Sequence, residues 1–224
     1  MIGQVGPGPC AARPWVAVLP VKPFALSKSR LQPWPGADRE ELARTLFLDT
    51  LRALRTTDDV AAVVVVTDDP DATALAVARG VLAIPDHPRA GLNAAILRGA
   101  AHAQTIAPGA PVVALTSDLA ALRGSELSEV LAAARDHHRA FLADHTGRGT
   151  TLLTAQCPAQ LQPAFEGSSR QRHMLSGAWE ITDVDAHSVR LDVDTEEDLR
   201  IARRLGLGPH TSRLLAAAAT GRPR

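Results

Sequence analysis

Tyrosine is absent from this chain, and aromatic residues of every kind make up only 3% of it. That scarcity argues against a platform that stacks single-stranded bases on Phe, Tyr or Trp, and it leaves Ala, Val and Leu to build the core. Net charge is also lacking: 24 basic side chains balance 24 acidic ones, so no global field draws the protein to nucleic acid or to an anionic membrane. The only cysteines, Cys10 and Cys157, have no paired spacing, which argues against a disulfide framework and a zinc site. No apolar run approaches the ~18 residues of a membrane-spanning helix. Residues 1–13 contain Gly and Pro but no apolar segment of the signal-peptide kind. Together these absences predict a cytoplasmic protein. Its 224 residues, 46% hydrophobic and 21% charged, suffice for one α/β domain with a sizeable core. The Ala- and Arg-rich composition is that of a GC-rich bacterial genome.

Along the chain, strand and helix patterns alternate. Residues 15–19 form an apolar run stopped by Pro20 and read as a buried strand. After a polar loop with three prolines, residues 38–54 place Leu42, Leu46, Leu51 and Leu54 at helical spacing, with Asp38 as a candidate cap. Residues 60–67 are a continuous run rich in β-branched residues, the signature of a central parallel strand. Helices are expected over 71–79, 92–103, 125–137, 168–175 and 195–205, the last with Thr195 as cap and acids in its first turn. Strands are expected over 81–84, 112–116 and 189–193, with a hairpin of short strands at 140–143 and 151–155. This order predicts a Rossmann-like three-layer α/β/α fold with a mostly parallel sheet. Residues 15–208 form the expected domain, with 1–14 and 220–224 as flexible ends.

In an open α/β sheet, ligands bind beyond the carboxyl ends of the strands. That rule selects three segments. The loop after the first strand clusters Lys22, Lys28 and Arg30, cations that can converge on a triphosphate or form a solvated basic loop. It lacks the GxxxxGK[ST] pattern of a P-loop. After the fourth strand, Asp118 can hold Mg²⁺ against phosphate oxygens or serve as a turn or cap residue. Near the end, Asp192 and Asp194 alternate along an expected strand, so at most one should face the metal. Asp194 competes for a capping role. A carboxylate from this stretch facing Asp118 would allow a two-metal arrangement.

Smaller signals accompany these. Gly147 to Thr151 can present backbone amides and a hydroxyl to an anion or make a plain hairpin turn. Ser168 and Ser169 open a short helix whose N-terminus can hold carboxylate or phosphate or simply be capped. His173 lies one turn further on, where a structural role is the commoner one. Gly91 and Asn93 open another helix, with Asn93 placed to read a base edge or ribose, or to cap.

The stretches PVKPFALSKSRL, GLNAAI, ALTSDLAAL, FLADHTGRGTTLL, FEGSSRQRH and LDVDTEEDL occur in one order. Together they resemble the 2-phospho-L-lactate or phosphoenolpyruvate guanylyltransferase family of coenzyme F-420 biosynthesis, from about Trp15 to Gly208. The resemblance implies a nucleotidyltransferase that joins GTP to a phosphorylated three-carbon acid, releases pyrophosphate and hands its product to the next biosynthetic enzyme. It implies Asp118 and Asp192 as Mg²⁺ ligands and Lys22, Lys28 and Arg30 near the nucleotide phosphates; Asp118 and Lys28 are then the expected catalytic groups, and Gly91 and Asn93, from their place at the helix start, further expected nucleotide contacts. Thr150 and Ser169 would contact the acid. Glu166 departs from the pattern, since the family has Gly there. Phosphoenolpyruvate and 2-phospho-L-lactate differ by an enol against a CH–CH₃, which no residue reads directly, and composition leans to the former. The rival readings are a cytidylyl- or sugar-nucleotidyltransferase and a non-catalytic nucleotide-binding protein. A DNA-binding regulator finds no support in charge or motif.

Overall fold

The structure, a computed structural model, describes residues 13–27 and 38–220. Lys28 and Arg30 of the predicted basic loop lie outside the described residues. In chain order the elements are β1 (Trp15–Pro20), α1 (Arg39–Arg55), β2 (Val60–Val66), α2 (Pro70–Val77), β3 (Leu82–Ile84), α3 (Leu92–Ile106), β4 (Val112–Leu115), α4 (Gly124–Ala134), β5 (Arg139–Ala143), β6 (Thr150–Ala155), α5 (Ser169–Leu175), β7 (Trp179–Glu180), α6 (His187–Arg190), α7 (Glu196–Leu205) and α8 (Pro209–Thr220). The strands form one sheet in the order β3-β2-β1-β4-β6-β5-β7. Among the described strands, β6 alone runs against its neighbours, antiparallel to both β4 and β5. Among the described residues no helix is long and apolar enough to cross a membrane.

Strand period explains the layers. Along β1, successive side chains point to opposite faces. Trp15, Ala17 and Leu19 pack with Phe47, Leu51 and Leu127 of α1 and α4 on one side. Val16 and Val18 pack with Ile96 and Ala100 of α3 on the other. Helix α3 sits very close to the sheet: a Cβ at Gly99 would overlap Val18 Cγ1 and press on Val66 Cγ2. With few aromatics available, such close backbone approach is how small residues reach native packing density.

Two expectations are corrected. Residues 189–193 do not form a strand. The Val189 and Arg190 N–H groups both donate to Ala186 O (3.1 Å each), closing the turn of α6, and the Val193 N–H donates to Asp118 O (3.2 Å). Tertiary contacts override the β preference of those residues. The unit also does not stop at 208. Helix α8 buries Leu214 and Leu215 beside Leu42 and Leu46 of α1, and Asp49 of α1 accepts the His210 and Thr211 N–H groups (2.9 and 2.8 Å) at its start. Of the ends expected to be flexible, Arg13 donates to Pro108 O (2.8 Å) and Thr220 closes α8. The other residues of those ends lie outside the described ones.

Candidate active site

A cavity of about 640 Å³ opens beyond the carboxyl ends of β1 and β4. Because β6 is antiparallel to β4, with Leu115 opposite Leu152, its first residue, Thr150, arrives at that same edge. Lys22, Asp118, Asp192, Thr150, Ser169 and Glu166 all line this one space, although they span more than half the chain.

The loop carrying Lys22 is pinned at its root. Val21 N–H donates to Val66 O (2.9 Å), and Thr67 Oγ1 donates to Val21 O (2.9 Å). The Phe24 N–H donates to Asp69 Oδ2 (2.7 Å), while Asp69 Oδ1 caps α2 through the Asp71 and Ala72 N–H groups (2.8 and 3.1 Å). Phe24 is buried against Phe47, ring centroids 5.8 Å apart. One buried carboxylate thus joins the start of a helix to the root of the basic loop, leaving Lys22 itself exposed at the cavity.

On the opposite wall, the Val193 N–H bond to Asp118 O ties the late acidic stretch to the end of β4. Since this stretch is not a strand, the alternation that would separate Asp192 from Asp194 does not apply, and both line the cavity. Asp194 is not the cap of α7. Thr195 Oγ1 accepts the Asp198 N–H (3.2 Å) and Asp198 Oδ2 accepts the Thr195 N–H (2.7 Å), a capping box. The other Asp198 oxygen lies 3.1 Å from His145 Nε2. Among the described residues no group of three or more His, Cys, Asp or Glu is arranged to hold a metal ion.

Two residues of this wall went unread in the sequence. Asp144 and Arg148 line the cavity from the β5–β6 turn. Asp144 Oδ1 accepts the Thr146 hydroxyl (2.9 Å) and the Arg148 N–H (3.0 Å), an Asx-type turn, and a Cβ at Gly149 would press on its other oxygen. The run Asp144-His145-Thr146-Gly147-Arg148 has turn chemistry, which hides its second role as cavity wall.

Beside these charged groups, the far end of the cavity has neutral, buried ones. Thr150 is 5% and Ser169 2% exposed. His173, fully buried one turn along α5, has Nδ1 3.0 Å from Thr150 Oγ1, and its Nε2 accepts the Ala164 N–H (2.9 Å). Burial, with help from the Arg172 and Arg139 guanidinium groups, pushes its pKa down to about 4. Asn93 spends its amide on the same lip: Oδ1 accepts the Phe165 N–H (2.9 Å) and Nδ2 donates to Phe165 O (3.3 Å). Predicted as a nucleotide contact, Asn93 here fastens residue 165 to α3. Gly91 precedes α3 with φ +95° and open space around it. Neither Gly91 nor Asn93 is part of the cavity wall, which α3 supplies through Leu92 and Ile96.

Glu166 is exposed at the cavity mouth with φ +82°. That is the left-handed region glycine favours and a Cβ disfavours, by on the order of 1–2 kcal/mol. The loop therefore keeps the shape a glycine would take, and Gly167 follows with φ +54°.

Comparison with known proteins agrees with this geometry. The chain is 49% identical over 210 residues to a phosphoenolpyruvate guanylyltransferase of Streptomyces scabiei, covering 92% of this chain and 96% of that one. It is 45% identical over 202 residues to one of Thermomonospora curvata, covering 90% and 89%. Among solved structures, a nucleotidyl transferase from Methanothermobacter thermautotroptrophicus superposes with a TM-score of 0.61 at 16% identity, covering 87% of this chain and 98% of that one, which is a likeness of fold. The family model described as guanylyl transferase CofC like matches residues 15–216, nearly the whole described fold, and the chain belongs to that family.

Proposed function

We propose that the protein transfers GMP from GTP to the phosphate of phosphoenolpyruvate, releasing pyrophosphate and leaving a guanylylated diphosphate of the acid, as a step of coenzyme F-420 biosynthesis. The observation that carries this reading is a single cavity with acids on one wall and buried neutral hydroxyls at its far end. It sits in a chain half identical to a phosphoenolpyruvate guanylyltransferase. A phosphate oxygen of the acid attacks the α-phosphorus of GTP. The bond from that phosphorus to the bridging oxygen of the β-phosphate breaks, and its electron pair leaves with pyrophosphate. The attacking phosphate is already anionic at neutral pH, so no strong base is needed.

The obstacle is repulsion between two anions. Unit charges ~4 Å apart repel by ~4 kcal/mol at an effective dielectric of ~20. Lys22, with Lys28 and Arg30 in the same reading, offsets that charge. Thr150 and Ser169 hold the acid through neutral donors.

The donor set on the other wall fits Mg²⁺. Asp118 and Asp192 offer hard carboxylate oxygens on one cavity, and Mg²⁺ takes one or two carboxylates with substrate oxygens and water completing its shell. Thr116 Oγ1, buried at the same wall without a partner among the described residues, is a polar atom that an ordered ligand or water would satisfy. Asp118 and Asp192 would hold the ion, which supplies positive charge to the phosphates when bound. A cytoplasmic setting, where GTP is plentiful, and direct handover of the reactive diphosphate product belong to the same reading.

Mass spectrometry of reactions holding GTP, Mg²⁺ and either phosphoenolpyruvate or 2-phospho-L-lactate tests it, with ATP, CTP and UTP as competitors. Guanylylated phosphoenolpyruvate with equimolar pyrophosphate is expected. Product from 2-phospho-L-lactate alone would change the acid and keep the chemistry. Pyrophosphate from neither acid would refute the reading.

A further inference from the structure

The buried histidine at the far end of the cavity has only one way to place its proton. A backbone N–H can only donate, so the Ala164 N–H, 2.9 Å from Nε2, makes Nε2 the lone-pair nitrogen of the His173 ring. The ring is fully buried between Phe141 and Phe165, centroids 5.6 and 5.1 Å away. Burial beside Arg172 and Arg139 keeps it neutral near pH 7. A neutral imidazole carries one proton, which must therefore sit on Nδ1, and Nδ1 is 3.0 Å from Thr150 Oγ1. The imidazole donates and the threonine oxygen accepts. The hydroxyl's own proton then has no acceptor among the described residues, and Thr150 lines the cavity.

Resting on the reading of this end as the acid site, we propose that His173 is a positioning residue. Locked in its Nδ1–H tautomer, it commits the Thr150 hydroxyl to donate to an oxygen of the phosphorylated acid. Through Ala164 it also holds the lip bearing Glu166 at a fixed distance from β6. Ser169 and His173, four residues apart, share one face of α5, so a single helix presents one direct contact and the group that aims another. A hydroxyl fixed as a donor favours carboxylate or phosphate oxygens and disfavours any ligand group that must itself donate.

Kinetics with the acid and GTP varied separately test this. In His173→Gln the amide oxygen can take the Ala164 N–H, but nothing donates to Thr150. The KM for the acid should rise about tenfold, with the KM for GTP within about twofold. His173→Asn puts an amide N–H near the old Nδ1 and should stay closer to wild type in that KM than His173→Gln does. Thr150→Val should match His173→Gln, and the double variant should be no worse than the poorer single. An unchanged acid KM in His173→Gln, an equal rise for both substrates, or multiplying effects in the double variant would overturn the proposal. If His173→Gln does not fold, His173→Asn decides: an acid KM as poor as that of Thr150→Val overturns it, and one nearer wild type supports it. Nitrogen-15 NMR of histidine-labelled protein reads the tautomer without turnover. A proton on Nε2 of His173 would overturn the assignment even if phosphoenolpyruvate proved to be the wrong acid.

Discussion

At one end of the cavity Lys22 stands exposed on a loop whose root is pinned through Asp69 and Thr67, and Asp118, Asp192 and Asp194 line the same space. At the other end Thr150, Ser169 and His173 are buried, uncharged and hydrogen-bonded into a lip that Asn93 clamps from a second helix. The first end works through full charges, whose effect reaches several ångströms and tolerates small shifts in position. The second works through single hydrogen bonds, which weaken steeply with distance and angle, and so it is built where packing fixes every atom. On the reaction proposed above, the charged groups would spread charge broadly around a triphosphate, and exact aim would be needed only for the smaller partner.

The sharpest break in that comparison is at Asp118. Asp118→Asn keeps the side chain's shape and removes its charge, and turnover should fall by about a thousandfold or more. Pyrophosphate release measures this, with an unchanged melting temperature as the check that the fold is intact. Near-normal turnover would mean the charged end does not depend on that acid.

At the neutral end the largest effect is on stability. The folded-state pKa of His173, about 4, lies below its ordinary 6.5. Between these values the unfolded chain takes up a proton that the folded chain refuses. Stability from this group is therefore fully present above pH 6.5 and falls as pH drops toward 4. Urea unfolding at pH 7 and pH 5 should differ by at most about 2 kcal/mol on its account, and His173→Gln should shrink that difference. An identical difference in both proteins would show that His173 already titrates normally.

Lys22→Ala should raise the KM for GTP about tenfold and the KM for the acid much less. The effect should shrink as salt is added, because the side chain is exposed. A salt-independent loss shared by both substrates would erase the contrast between the two ends. The smallest expected change is at the lip. Glu166→Gly removes a Cβ from a φ of +82° and should add about 1 kcal/mol of stability, less whatever glycine loses through its freer unfolded state. It should also lower the KM for the anionic acid slightly. Destabilisation with a weaker acid KM would show that the Glu166 side chain contributes to the site.

Much of the charged end was legible along the chain, because its parts are local signals. Lys22 follows a strand that ends in proline, and Asp118 follows an apolar strand, so the strand-end rule places both. The neutral end was legible only in pieces. Thr150 and Ser169 could be singled out from the family resemblance, but His173 read as an ordinary core histidine. Its partners, Thr150 and Ala164, are 23 and 9 residues away, and no periodicity joins them. Asn93 read as a nucleotide contact because its amide suits one, yet Phe165, 72 residues on, takes both of its ends. The acids of the late stretch were found, but their geometry was misjudged. A strand was assumed where Val193 bonds to Asp118, and the period-2 rule then separated side chains that share a wall.

By itself, the sequence determined the layers and the address of the site: continuous apolar runs of strand length, helices with period 3.6, and charged residues just past strand ends. These are consequences of backbone geometry, which acts over a few residues at a time. The tertiary structure decided which hydrogen-bond donors and acceptors were left for a ligand. That depends on pairs far apart in the chain, such as Asn93 with Phe165 and His173 with Thr150, and a polar group's partners are settled only when distant segments have packed.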